Sequence, residues 1–301
     1  MNGQSGDDVL PRRLRERIRR FLAKPLREKY ASVASRLRSR VVTIPLPIRL
    51  PFGAWWIARN DNIGKPLREG QFETAEVAFV DRYLQPGMTV LDIGAHHGLY
   101  TLLASLRVGN GGLVYSFEPS ARERKALLQH VRINRCKNVS VQDAAIGNEN
   151  NEATLYVVEG SQSGCNSLRP PVVTSGTSSV RIKVARLDDW LREQSIDRVD
   201  FIKLDVEGGE REALLGAERL IECFRPVLFA EVQDIRTRPW GYPAKEIIEQ
   251  MIQKKYRWFD VTPDGFLSAL DVRAKEFDGN FVACPEERLP KLQKFVEGAS
   301  G

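Results

Sequence analysis

Three acids stand where successive strands of a parallel sheet would end. In VLDIGAHHGLYT an apolar run closes on Asp92, and Gly94, Ala95 and Gly98 follow before Leu99, Leu102 and Leu103 recur at helical spacing. Glycines there let the chain turn sharply and approach a ligand where a Cβ would clash. The next apolar run ends in SFEP, which puts Glu118 twenty residues beyond Gly98, and a third ends in Asp143-Ala144-Ala145. A carboxylate at the second strand end can accept hydrogen bonds from both ribose hydroxyls of a nucleoside. One at the third could take a hydrogen bond from the adenine amino group. The spacing G-x-x-x-G differs from the G-x-G-x-x-G of dinucleotide enzymes, which set a pyrophosphate against a helix N-terminus. S-adenosylmethionine has no phosphate and brings an ammonium group that favours an acid such as Asp92. The cofactor-binding set expected is therefore Asp92, Gly94, Ala95, Gly98, Glu118 and Asp143, with Asp205 of the next block.

That block reads VDFIKLDVEGGEREALL. Alternation along an extended segment puts Lys203, Asp205 and Glu207 on one side of a strand end. A carboxylate placed there could orient a hydroxyl or accept its proton. Asp205, Glu207 and Lys203 are the catalytic candidates, with Glu231 and the neighbours His96 and His97 as weaker ones. Glu207 has a second reading, as an acid at the N-terminus of the following helix. Asp205, Glu207 and Glu231 could offer hard oxygen ligands to a divalent ion, but nothing in the spacing requires one and no metal is expected. The four cysteines, Cys136, Cys165, Cys223 and Cys284, lie too far apart for a zinc or disulfide framework.

The chain resembles the FkbM-type methyltransferases, which share a strand, K-x-D-x-E-G-x-E, a helix and a strand of the form P-x-L-x-x-E. Here these are Lys203, Asp205, Glu207, Gly208 and Glu210, then Pro226, Leu228 and Glu231. DIGAHHG, FEP, the Asn166-Ser167-Leu168 loop and VARLDDWL extend the resemblance over residues 70 to 235. One departure is His96, where the family usually has Asn. The resemblance implies a class I methyltransferase fold, S-adenosylmethionine as cofactor, and methyl transfer to a hydroxyl of a sugar, glycan, lipid-linked or polyketide-type acceptor.

The elements that must position these residues follow from periodicity. Apolar runs at 89–93, 112–117, 139–143, 201–204 and 227–231 alternate with helical patterns, as in βαβ units, and runs at 256–261 and 279–283 complete the sheet. The expected fold is α/β, a Rossmann-like doubly wound, mostly parallel sheet. Between the third and fourth strands ATLYVVEG and VRIKVARL read as an inserted β pair. Pro45, Pro47 and Pro51 forbid a long helix and favour edge-like strands, and a helix follows around 72–84. The domains expected are an arm at 1–40, covering strands and helix at 41–85, the catalytic domain at 86–290 and a tail at 291–301.

Charge is uneven. Residues 1–40 hold 12 of the 45 Lys and Arg and 4 of the 39 Asp and Glu, leaving 33 basic against 35 acidic residues beyond. Leu10, Leu14, Ile18, Phe21 and Leu22 recur at helical spacing among arginines, a basic amphipathic helix able to lie on an anionic membrane or dock on a protein through residues 10–40. Without a leader-like or spanning apolar stretch, the expectation is a cytoplasmic protein, peripheral at most to a membrane. The slightly acidic body argues against nucleic acid as partner. Three alternatives stay open: a nicotinamide oxidoreductase, an RNA-modifying methyltransferase recruited by the arm, and a non-catalytic scaffold of the same fold.

Overall fold

The computed structural model describes residues 45–296 except Asn60 and Asn62. The basic arm expected at residues 1–40 lies outside these residues. The chain opens with an antiparallel hairpin, β1 (Leu46–Arg49) and β2 (Trp55–Ala58), followed by α1 (Gly64–Glu69) and α2 (Thr74–Tyr83). Two β-α units come next: β3 (Thr89–Ile93) with α3 (Leu99–Val108), then β4 (Leu113–Phe117) with α4 (Ala121–Ile133).

After β5 (Val139–Gln142) the chain leaves the main sheet. Ala144–Ile146 (β6), Asn151–Val158 (β7) and Thr177–Ala185 (β8) form a separate three-stranded sheet in the order β6-β8-β7. The inserted pair is thus present, with β6 as a third strand. α5 (Leu187–Glu193) returns to β9 (Phe201–Leu204), then come α6 (Glu210–Leu215), α7 (Glu218–Phe224) and β10 (Val227–Gln233). The short α8 (Asp234–Thr237) and α9 (Lys245–Gln253) precede β11 (Tyr256–Val261), β12 (Leu267–Ala269) and β13 (Asp278–Pro285).

The eight-stranded sheet runs β12-β11-β13-β10-β9-β3-β4-β5. Its five strands from β10 to β5 are parallel, and β13, β11 and β12 extend it antiparallel. The fold expected from periodicity is therefore the one present. Strand alternation divides the core between two faces. Leu91, Ile93, Ile202, Leu204, Leu228 and Ala230 pack in one cluster, and Val90, Phe201, Val227 and Phe229 pack in the other with Leu102 and Leu103 of α3.

The same alternation aligns the polar residues. Asp92 pairs in register with Lys203, and Lys203 with Phe229, so these three side chains share one face across β3, β9 and β10. All lie near the carboxyl ends of parallel strands, where open α/β sheets bind ligands. Among the described residues no helix is long and apolar enough to cross a membrane.

Candidate active site

β3 runs fully buried into Gly94, whose φ of +83° belongs to the left-handed region. A Cβ built there would stand 1.7 Å from the carbonyl oxygen of Asp205, so the two strand ends meet at a spacing only glycine permits. His96 also adopts positive φ, +49°. Asn and His are among the few side chains enriched in that conformation, which accounts physically for a histidine where the resembling family has Asn. Gly98 caps the start of α3 at φ +91°, and its built Cβ would lie 2.4 Å from Leu127 Cδ1 of α4.

Glu118 follows β4 and is buried. Its Oε2 accepts the His96 N–H and its Oε1 the Ser120 N–H, both at 2.8 Å. Each oxygen keeps a second lone pair for a ribose hydroxyl. Burial pushes this carboxyl up to about 8, against the pull of the two N–H donors. Asp92 is also buried, and burial raises it to about 6 while the Thr101 hydroxyl donates to its Oδ2.

His130, on α4, holds this turn from behind. Its Nε2 accepts the Ile57 N–H at 3.0 Å, so its Nδ1 carries the proton donated to the His97 carbonyl at 2.8 Å. Burial lowers its pKa to about 4, which keeps it neutral.

At the end of β9, Lys203 is 1% exposed and its Nζ donates to Asp205 Oδ2 at 3.0 Å and to Asn280 Oδ1 at 3.4 Å. Burial works to lower the lysine pKa, but the charges of Asp205, Glu73 and Glu231 outweigh it and hold it above the ordinary value. Glu207 sits at φ +57°, with its Oε2 2.8 Å from Arg236 Nε of α8. Burial raises it to about 8 and the Asp205 charge adds to this. The helix-start role lies elsewhere, in Glu210, whose Oε1 accepts the N–H of Val206 at 2.9 Å and of Gly208 at 3.3 Å. Burial raises the Glu231 carboxyl of β10 well above its ordinary value, and the Asp205 and Glu207 charges add to this.

These groups line one cleft of about 230 Å³. It contains Asp92, Gly94, Ala95, Gly98, Glu118, Lys203, Asp205 and Glu207, along with His96, His97 and Glu231. Asp143 is the exception among the expected set. β5 stops at Gln142, and Asp143 is exposed in the link to β6 and does not line the cleft, where Ala144, Ala145 and Ile146 form that part of the wall. His97 lines the cleft, but burial drives its pKa down to about 2, leaving a weak base.

Residues not singled out from the sequence complete the wall. Glu73, at the start of α2, accepts the Tyr100 hydroxyl hydrogen bond at 2.6 Å, and Trp56, Phe72, Arg236 and Trp240 also face the cleft. Glu73 has φ +44°, a strained position for a non-glycine residue and of the kind that gathers at functional sites. No sequence period links residues 73, 100 and 203, so only the fold brings them together.

The cleft lining counts six carboxylates, from Glu73, Asp92, Glu118, Asp205, Glu207 and Glu231, against the cations Lys203 and Arg236. Carboxylate oxygens of Asp205, Glu207 and Glu231 lie within 4.8 Å of one another. An excess of acid around a glycine turn suits a cationic nucleoside better than a pyrophosphate. The strand, glycine turn and helix, with an acid at the second strand end, define a nucleoside-binding α/β enzyme.

Comparison with known proteins narrows this class. The family described as Methyltransferase FkbM domain matches residues 92–258, more than half the chain, and the chain belongs to that family. Its methyl donor is S-adenosylmethionine. A curated relative, 31-O-demethyl-FK506 methyltransferase FkbM of Streptomyces tacrolimicus, is 29% identical over 223 residues, covering 62% of this chain and 82% of the relative. Among solved structures, methyltransferase FkbM from Methylobacillus flagellatus KT is 19% identical with a TM-score of 0.43, and the match covers 75% of this chain and 55% of that one. An O-methyltransferase from Bacillus cereus in complex with SAH is 14% identical with a TM-score of 0.44, covering 70% and 80%.

Proposed function

We propose that the protein transfers a methyl group to a hydroxyl oxygen of a sugar, glycan, lipid-linked or polyketide-type acceptor. The carrying observation is the cleft around Gly94, whose six carboxyl groups suit a cationic cofactor and include one, Glu207, able to receive a proton. When bound, S-adenosylmethionine supplies an electrophilic methyl group and departs as the neutral thioether. Gly94, Ala95 and Gly98 bring the backbone close to it, Glu118 accepts from the ribose hydroxyls, and Asp92 faces its ammonium group.

Asp205 and Glu207 serve the acceptor. Asp205, anchored by Lys203, accepts a hydrogen bond from the reacting hydroxyl and fixes its direction, since alignment of the attacking oxygen supplies much of such catalysis. Glu207 then takes the proton. With a pKa of about 8 its carboxyl lies near working pH, where a general base is most effective. Lys203 stays protonated and acts by holding Asp205 in place.

The test is calorimetric titration with S-adenosylmethionine and S-adenosylhomocysteine, followed by incubation of methyl-labelled cofactor with a panel of glycan and polyketide alcohols and amino-sugar amines. Label on an acceptor oxygen supports the reading. Cofactor binding with label only on nitrogen acceptors would sink the oxygen assignment, and no binding by folded protein would favour a scaffold.

A further inference from the structure

We propose that the outer face of the β1–β2 hairpin and α4 docks on an anionic phospholipid bilayer. Alternation in β2 buries Trp56 and Ala58 and turns Trp55 outward, 46% exposed. Trp55 pairs across the hairpin with Arg49, whose guanidinium carbon lies 5.8 Å from the indole centroid. The hairpin is clamped to α4. Asn134 accepts the Trp55 N–H and donates to its carbonyl, both at 2.7 Å, and Arg59 donates to Gln129 Oε1 at 3.2 Å. The exposed indole is therefore held on a rigid support.

The solvent side of α4 continues the surface. Its buried face is Glu123, Ala126, Leu127 and His130, while Arg122, Lys125, Leu128, Arg132 and Ile133 face out, Leu128 being 49% and Ile133 38% exposed. Arg135 and Lys137 follow, both exposed. Residues 121–137 hold six Lys and Arg against one acid, Glu123, which is buried and paired with Arg122. Among the described residues Arg49, Lys125, Arg132, Arg135 and Lys137 form no ion pair. The chain beyond residue 40 has 33 basic and 35 acidic residues, so this is a local concentration of cations.

The combination selects the partner. Cations that are not engaged in ion pairs attract anionic headgroups, each Lys or Arg near the surface contributing roughly fivefold in partition. An indole with one wet edge is suited to the headgroup boundary. Leu128 and Ile133 gain by entering the acyl edge and offer nothing to a phosphate backbone, which favours a bilayer over nucleic acid. Trp56, the next residue along β2, lines the cleft, so docking here would bring the cleft wall near acceptors carried in a membrane.

The full chain can test this, because all five tryptophans lie beyond residue 50 and none in the basic arm. Sedimentation with phosphatidylcholine vesicles, with and without phosphatidylglycerol, should show binding only to the anionic set. Brominated phospholipid should quench a part of the fluorescence that is missing in Trp55→Phe. Arg132→Glu/Arg135→Glu, exposed changes that leave the core alone, should weaken partition at least tenfold. Vesicle binding with no quenching assignable to Trp55 would overturn the proposal in favour of the arm. Absence of vesicle binding, or an RNA oligonucleotide captured through the same arginines in place of vesicles, would also overturn it.

Discussion

Lys203 Nζ stands 3.0 Å from Asp205 Oδ2, and the rings of Tyr100 and Phe229 lie 5.4 and 5.0 Å from the same ammonium. An ammonium closed in by aromatic rings depends on its carboxylate partner. Lys203→Met leaves Asp205 beside Glu207 and Glu231 without its counter-charge, and because the Asp205 side chain is 30% exposed the loss should fall below the about 3–5 kcal/mol of a fully buried pair. Urea denaturation should show that loss, and Lys203→Met/Asp205→Asn should recover part of it. Full additivity of the two single changes would show that the pair is not coupled.

Gly94→Ala should be severe. Its Cβ would fall 1.7 Å from the Asp205 carbonyl oxygen at φ +83°, so β3 and β9 must separate at the cofactor turn. We expect loss of calorimetric S-adenosylmethionine binding together with a lowered denaturation midpoint. Gly70→Ala, also at positive φ but with open space around its built Cβ, should cost only about 1 kcal/mol and leave binding intact.

Glu118 and Asp143 should separate cleanly. Glu118→Gln removes a carboxylate that orders the His96 and Ser120 amides and that we propose accepts from the ribose, and at least tenfold weaker cofactor binding should follow. Asp143→Asn lies on the exposed link and should leave the dissociation constant unchanged. Equal effects from both would mean that the nucleoside extends past β5.

Glu207 should set the alkaline approach of the rate profile. With its carboxyl raised to about 8, the rate of methyl transfer should climb with pH until that value and then level. Glu207→Gln should abolish the climb and lower kcat by about 10²–10⁴-fold. A variant that keeps the climb would move the proton to another group.

Stability of the cofactor-free protein should fall as pH rises from 6.5 to 8.5. Glu118 and Glu207 titrate near 8 when folded, against an ordinary value of 4.5. Between those values each is protonated when folded and ionised when unfolded, so alkali favours the unfolded chain. Buried His97 and His130 oppose this only below 6.5, where the unfolded chain gains their protons. Thermal denaturation across the window should show the fall, and Glu118→Gln should make it shallower.

The glycine turn and the parallel strands were legible because each is written in local spacing, whereas β9 ends at Leu204 and the positive φ at Glu207, not strand alternation, directs that side chain. Whether Asp143 faces the cleft was not legible, because one residue decides where β5 ends and apolar pattern does not set strand ends that finely. Glu73, Tyr100 and Arg236 carry no local signal and meet the cluster only through long-range packing. Glu210 stood in the family motif, yet whether it or Glu207 receives the loop amides depends on the positive φ at 207.

The family match begins at Asp92, yet Trp56, Phe72 and Glu73 form part of the cleft. One cavity is thus assembled from residues inside the family match and residues ahead of it. If, as proposed, the matched part holds the methyl donor, Trp56, Phe72 and Glu73 are left to shape the acceptor side of the cleft. A chimaera joining the segment before Asp92 from one family member to the domain of another should carry acceptor preference with the graft and leave cofactor affinity where it was.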